Sequence, residues 1–321
     1  AARTPAAMRV ASAQLLGELS REVEALREAL VRVAARLELA IDFSEDDVGE
    51  LDRESLRREV DVVRARIGAL AATYAGGRIL REGARVAIVG KPNAGKSSLL
   101  NRLLGSERAI VTPAPGTTRD VIEDSIDLGG IPVVLSDTAG VRESTDDIER
   151  LGIERTRAAI AEADLAVVVL DGSRALDEDD AAVLDATQQT ARILLINKRD
   201  LEPRLAVTAV DSLAGDGAIV VEASARTGQG IGGLCERLVH ALGAAPVASG
   251  EVVVTRERHF RALEAAMASL SRVLDSLGEV QPPDIVAVDV MAALDHLGEI
   301  VGRTSPEAVL DRIFSEFCIG K

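Results

Sequence analysis

No run of eighteen apolar residues occurs in the 321-residue chain, so nothing in it has the length and apolarity of a membrane-crossing helix. Its opening, AARTPAAMRV, lacks the charged and apolar regions of a secretory signal, and a cytoplasmic location is expected. Cysteine is scarce: Cys235 and Cys318 stand far apart without a CxxC or histidine-rich context, which argues against a disulfide framework or a zinc site. The three histidines suggest no metal centre. A basic stripe is missing too. The net charge is -15, and the acidic runs Ser44 to Asp47 and Asp177 to Asp180 read as solvated loops or helix starts, so any RNA handled must be held by something else. Residue 1 is an alanine and helix follows almost at once, so a further N-terminal portion is expected ahead of it.

What is present is apolar patterning. Apolar residues make up 47% of the chain, enough for two domains with separate cores. Leu19, Val23, Leu26, Leu30, Val33 and Leu37 recur at helical spacing, as do Leu56, Val60, Val63, Ile67, Leu70 and Tyr74. The pattern returns at Phe260, Leu263, Met267, Leu270, Leu274 and Leu277, then less regularly over Ile285 to Val301. A last helix is expected from about Pro306 to Phe317, capped by Thr304 or Ser305.

Between these flanks, Val86 to Val89, Val133 to Leu135, Leu165 to Leu170, Ile193 to Ile196 and Ile219 to Val221 read as strands alternating with helices, as a parallel sheet requires. Each flank has few helices for a core of its own. The economical architecture is therefore an α/β domain inserted into one all-α bundle built from both ends. Expected bounds are 1–80 for the first helical part, 81–242 for the α/β domain and 243–321 for the second, with Gly76-Gly77 and Gly243 to Gly250 as crossings. Two separate helical appendages are the alternative.

Chemistry concentrates in the middle. GKPNAGKS, Gly90 to Ser97, follows a strand and opens a helix, the setting of a phosphate loop. Backbone amides around Asn93, Ala94, Gly95, Lys96, Ser97 and Ser98 would cradle phosphate oxygens, Lys96 would neutralise the β- and γ-phosphates, and Ser97 would ligate magnesium. DTAG, Asp137 to Gly140, ends another strand, where Asp137 would meet the magnesium shell and the Gly140 amide the γ-phosphate. In NKRD, Asn197 to Asp200, the Asp200 carboxylate suits the two donors on the edge of guanine, which adenine lacks, while the Lys198 stem lies along the base. Ser224, Ala225 and Arg226 follow a strand as a base-side loop, or as a plain turn. TPAPGTTRD, Thr112 to Asp120, sits where a nucleotide-sensing switch belongs, with Thr117 and Thr118 as nucleotide contacts and Thr118 as a magnesium ligand, or else both as strand-start residues.

GKPNAGKSSLLN, AIVTPAPGTTRDV, DTAGVRES, ERLGIERT, NKRD and the tail FCIGK together closely resemble the MnmE (TrmE) family of tRNA-modification GTPases, over essentially the whole chain. A Ras-like P-loop GTPase domain inserted into a helical bundle is the fold this resemblance implies. It further implies GTP hydrolysis in the service of wobble-uridine (carboxymethylaminomethyl) modification of tRNA, a homodimer, and a flavoprotein partner, MnmG (GidA). The family's N-terminal dimerisation and folate-binding domain, which uses 5-formyltetrahydrofolate, is not represented. By the same resemblance Asn93, Thr117 and the carbonyls of Thr112 and Ala114 would hold potassium, supplying charge that other GTPases take from an arginine. Val141 cannot orient water, and Glu149 would do so once two GTPase domains meet; on the residues alone Glu149 is a solvated or capping group. Arg119, Asp120 and Arg142 would order the switches, although Pro113 and Pro115 depart from a common variant and restrict the potassium loop. Cys318 resembles a cysteine tied to the modification chemistry, while on the residues alone it is a small buried side chain, as Cys235 is. A ribosome-assembly GTPase of the Era or Der kind and a nucleotide-gated scaffold remain as alternatives, and Asp200 disfavours an ATPase.

Overall fold

A computed structural model of the chain describes residues 4–42, 51–106, 108–109, 124–137, 156–214, 219–243 and 251–302. These divide into two compact units, one of Ala1–Arg9 with Ile79–Pro246 and one of Val10–Arg78 with Val247–Lys321. The helix expected at Pro306 to Phe317 lies outside the described residues.

The second unit is helical. It uses most of α1 (Pro5–Leu15) together with α2 (Glu18–Asp42), α3 (Arg53–Ala72) and the start of α4 (Tyr74–Glu82), and, from far along the chain, helices at Glu257–Gly278 and Pro283–Val301. The apolar stripes meet in one core: Val23, Leu26 and Leu30 pack with Leu56, Val60 and Ile67 and with Leu263, Leu270, Val290 and Leu294. Residues from both flanks share that core, which excludes two separate appendages. Burial of a single leucine side chain is worth about 1.5–3 kcal/mol, more than a half-exposed pair such as Arg36–Glu59 at 2.7 Å contributes. The stripe that ran on to Tyr74 breaks at Thr73, and Tyr74 stacks on Phe260 with ring centroids 4.6 Å apart.

Gly76 and Gly77, expected at a crossing, lie within α4 just before Arg78 and Ile79, where one compact unit gives way to the other. A Cβ on Gly77 would stand 2.2 Å from the Val254 carbonyl oxygen, so glycine is there for close backbone approach and not for a break.

The first unit is a seven-stranded sheet in the order β2-β3-β4-β1-β5-β6-β7, made of β1 (Ala84–Val89), β2 (Arg108–Ala109), β3 (Asp124–Leu128), β4 (Ile131–Asp137), β5 (Leu165–Asp171), β6 (Arg192–Asn197) and β7 (Ile219–Glu222). β3 runs antiparallel to its neighbours β2 and β4, and the other pairs are parallel. Helices α5 (Lys96–Ser106), α6 (Glu178–Ala186) and α7 (Val207–Ala214) lie between strands, and α8 (Ile231–Ala241) follows β7. Alternate residues of β1, β5 and β6 enter two cores: Val86, Ile88, Val167 and Ile193 on one face, Ala87, Val89, Val168 and Leu194 on the other. Cys235 packs beside the first of these cores. After β1 the chain returns to both sides of that strand, to β4 and to β5, so the carboxyl end of β1 is a switch point of the kind that forms ligand crevices. No helix among the described residues is long and apolar enough to cross a membrane.

The remaining helices are α9 (Glu257–Gly278) and α10 (Pro283–Val301). At the end of α9, Gln281 N–H donates to Ser276 O at 2.9 Å and Val280 N–H to Leu277 O at 3.4 Å, a Schellman turn whose left-handed position is a valine at φ 58°. A β-branched residue there costs about 1–2 kcal/mol, and Val280 is 67% exposed, so little packing compensates. Val280→Gly is expected to stabilise the helical unit by about 0.5–1 kcal/mol after the larger chain entropy of glycine is counted. Denaturant midpoints would register the gain; an unchanged or lower midpoint contradicts the strain assigned to this turn.

Candidate functional site

The sheet aligns several polar residues at its carboxyl edge. Register places Asp137 of β4 beside Ile88 of β1, Asp171 of β5 beside Asn197 of β6, and Glu222 of β7 beside Ile196. Interior strands buried on both faces leave only their ends for polar chemistry, which is why the chemistry-bearing residues collect there.

The loop from Gly90 to Lys96 leaves β1 and enters α5, whose first turn closes with Leu99 N–H on Gly95 O at 2.9 Å. Asn93 at φ 63° and Gly95 at φ 104° give the loop left-handed turns that aim backbone amides into one concavity. A Cβ on Gly95 would lie 2.2 Å from the Asn197 amide nitrogen, so the cradle closes if that residue gains a side chain. Lys96 Nζ donates to Gly90 O and to Lys91 O, each at 2.8 Å, which fixes its charge within the curl of the loop. Asn93, Ser97 and Ser98 are exposed, and Ala94 is buried beneath them. Concave amides, a helix N-terminus and a fixed ammonium together suit a polyphosphate.

Asn197 does more than its place in the NKRD string predicts. It is 2% exposed; its Nδ2 donates to Ala94 O at 2.9 Å, and its Oδ1 accepts from Ala225 N–H, also at 2.9 Å. One buried amide thus staples the phosphate loop to the Ser224–Arg226 loop. Truncating it would leave two buried backbone groups unpaired, at about 1–3 kcal/mol each.

Asp200 faces the same loop. Its Oδ1 accepts from the fully buried Ser224 hydroxyl at 2.6 Å, and the exposed Arg226 guanidinium stands 3.9 Å away. The Ser224 hydrogen bond outweighs desolvation, and with the charges of Arg226 and Lys198 it holds the Asp200 carboxyl below the usual aspartate range. It is therefore an ionised, acceptor-only group at neutral pH. Arg102, on α5, donates to the carbonyls of Ala225 and Arg226 and orders this loop from behind.

Lys198 sits at φ 62°, and its ammonium bonds Asp171 Oδ2 at 2.6 Å. Burial works against ionisation of Asp171, but hydrogen bonds from Lys198 and Ser173 prevail and lower its pKa. Sequence reasoning missed Asp171. The available signal was a lone carboxylate ending the otherwise apolar strand LAVVVLD.

The acidic run at Asp177 was also misjudged in part. Asp177 does start a helix, capping α6 in a box with Asp180, but the run is not simply solvated. Lys91, 7% exposed, is bonded by Asp177 and flanked by Asp179 and Asp180 at 3.5 and 3.6 Å. The Asp177 bond raises the Lys91 pKa, and the same bond lowers that of Asp177.

The structure thus brings Asn93, Ala94, Gly95, Lys96, Ser97, Ser98, Asn197, Lys198, Asp200, Ser224, Ala225 and Arg226 to one edge, with the backbone of Asp137 beside them. Thr112, Ala114, Thr117, Thr118, Gly140, Glu149 and Cys318, with Pro113, Pro115, Arg119, Asp120, Val141 and Arg142, lie outside the described residues.

The chain is 44% identical to the tRNA modification GTPase MnmE of Heliobacterium modesticaldum over 100% of its own length and 70% of that protein. Against the tRNA modification GTPase MnmE of Natranaerobius thermophilus it is 42% identical, over 97% of this chain and 68% of that protein. Among solved structures, the G domain of the T. maritima FeoB iron transporter matches 49% of this chain and 98% of its own at 28% identity, with a TM-score of 0.37. A family model described as the MnmE helical domain spans residues 1–318, and with these relatives it shows that the chain belongs to the MnmE family of tRNA modification GTPases.

Proposed function

We propose that the chain binds GTP across the carboxyl edge of the sheet and hydrolyses it to GDP and phosphate as the GTPase of a tRNA-modification system. The observation that carries this is the Asn197 staple, which fixes a phosphate cradle and an ionised Asp200 on one rigid frame. A carboxylate held as acceptor by Ser224 matches the paired donors of guanine, and adenine would leave it desolvated and unpaired.

In this reading the amides of Asn93 to Ser98 and the Lys96 ammonium hold the phosphates, Lys198 and the Ser224–Arg226 loop flank the base, and Gly140 and Thr117 complete the contacts. Ser97, Thr118 and Asp137 form an oxygen donor set appropriate to magnesium, and Asn93 and Thr117 with the carbonyls of Thr112 and Ala114 one appropriate to potassium. Both ions, when bound, neutralise charge that develops on the phosphates. Glu149 orients the attacking water when two GTPase domains associate as a homodimer. The wider proposal follows family membership: action in the cytoplasm with a flavoprotein partner of the MnmG (GidA) kind on the wobble uridine of tRNA, a 5-formyltetrahydrofolate requirement in the system, and a part for Cys318 in that chemistry. Domain bounds near residues 80 and 242 belong to the same proposal.

Phosphate release from GTP by the purified chain, with magnesium and either potassium or sodium at equal ionic strength, tests it. Positive charge at this position is worth roughly 10³–10⁵ in enzymes that use an arginine there, so potassium should accelerate turnover at least about tenfold. Equal rates remove the potassium role; no hydrolysis in either salt removes the GTPase reading itself.

A further inference from the structure

The two ends of the proposed nucleotide site are joined by a chain of charges whose terminal members, Lys91 and Lys198, belong to the ends themselves. Lys91 lies in the phosphate loop, and its own carbonyl accepts from Lys96 Nζ at 2.8 Å, so whatever fixes Lys91 helps fix the phosphate-facing ammonium. Its side chain is bonded to Asp177. Arg174 Nη1 stands 3.7 Å from Asp177 Oδ2, and Arg174 Nε stands 3.7 Å from Asp171 Oδ2. Asp171 in turn bonds Lys198, in the base-reading segment, at 2.6 Å. The sequence of groups is therefore Lys91, Asp177, Arg174, Asp171, Lys198, with alternating sign throughout.

The segment that carries the middle three is held at both ends. Ser173 donates to Asp171 Oδ1 from its amide at 3.0 Å and from its hydroxyl at 2.6 Å. Gly172 N–H bonds Asn197 O at 2.9 Å, and Gly172 O accepts from Arg204 and Leu205. Asp177 caps α6. A loop pinned in this way cannot absorb a shift at one lysine by simply relaxing. Screening is weakest at the Lys198–Asp171 end, where the side chains are 28% and 10% exposed, whereas Arg174 and Asp177 are 41% and 48% exposed, so the coupling carried through Arg174 is expected to be modest.

From this arrangement we propose that Arg174 is a positioning residue that couples the phosphate loop to the base-reading segment, so that occupancy of one end sets the geometry of the other. It touches no nucleotide; it acts through Asp177 on Lys91 and through Asp171 on Lys198. The proposal rests on guanine-nucleotide binding at this edge and adds what makes that site a single unit. Its test is a thermodynamic cycle.

GDP affinity, with magnesium, is measured for the full chain, for Lys91→Gln, Asp171→Asn and both together, and for the same set on an Arg174→Gln background, with the thermal midpoint of each variant as a folding control. With Arg174 present, the double variant should depart from the product of the single effects by at least about threefold, since groups in one salt-bridge network are non-additive. On the Arg174→Gln background the effects should multiply to within about twofold, as independent sites do. A purely structural role for Arg174 would lower the midpoint without erasing the non-additivity. Multiplicative effects with Arg174 present overturn the proposal, and so does non-additivity that survives its removal. Failure of the unmodified chain to bind GDP overturns the nucleotide-site reading and this proposal with it, a result distinct from either of the others.

Discussion

Asp200→Asn is expected to lower GTP affinity by roughly 10²–10⁴ and to raise affinity for xanthosine triphosphate, turning the base preference around. The reason is the charge state that Ser224 imposes. Its hydroxyl donates to one carboxylate oxygen at 2.6 Å, and the depressed pKa keeps Asp200 ionised, so the other oxygen is available to accept from the base. Asparagine in the same rotamer presents an amide N–H to guanine donors, and two donors then face each other in a desolvated pocket. Xanthine offers a carbonyl at that edge, which the same N–H can satisfy. Competition binding with the two triphosphates reads the effect directly; unaltered GTP affinity would remove Asp200 from base reading.

Gly95→Ala should abolish measurable nucleotide binding, a loss of at least about 100-fold, while the helical core stays folded. The added methyl would stand 2.2 Å from the Asn197 amide nitrogen, and the φ of 104° already disfavours any side chain. Asn197 is buried and holds Ala94 and Ala225 simultaneously, so it cannot step aside without releasing both loops. The damage therefore reaches the base end as well as the phosphate end. Nucleotide titration beside a far-ultraviolet circular dichroism spectrum distinguishes this from global unfolding; near-normal affinity would contradict the staple.

What is legible in the sequence follows from the range of the forces involved. The strands Leu165–Asp171 and Arg192–Asn197 are buried on both faces, so each advertised itself as a continuous apolar run. The helical stripes of α2, α3 and α9 were equally plain, and that of α10 less so, since each buries an apolar face in the shared core. By contrast DSIDL, which forms β3, carries only two apolar residues, Ile126 and Leu128, too few for an alternating pattern to stand out, and the two-residue β2 is too short for any period. Gly76-Gly77 reads as a crossing, and one unit gives way to the other just after it; that the pair sits within a helix depends on the Val254 backbone, far off in sequence, whose close approach only glycine admits.

The site divides along the same line. The phosphate loop and NKRD were legible because their chemistry is concentrated in contiguous residues. The Lys91–Asp177 pair spans 86 positions, and Asn197 reaches back 103 to Ala94, so neither follows from a local pattern. Ser224–Arg226 could be named only as a loop or a turn, since its meaning depends on the hydrogen bonds that Asn197, Asp200 and Arg102 make to it.

Isothermal titration of the folded chain with GDP in the presence of magnesium addresses the central claim most directly, because it asks only whether the carboxyl edge of the sheet holds a guanine nucleotide. A saturable one-to-one binding heat for GDP, with none for ADP at the same concentration, is the predicted result. No heat with GDP, or equal heats with the two nucleotides, would contradict it.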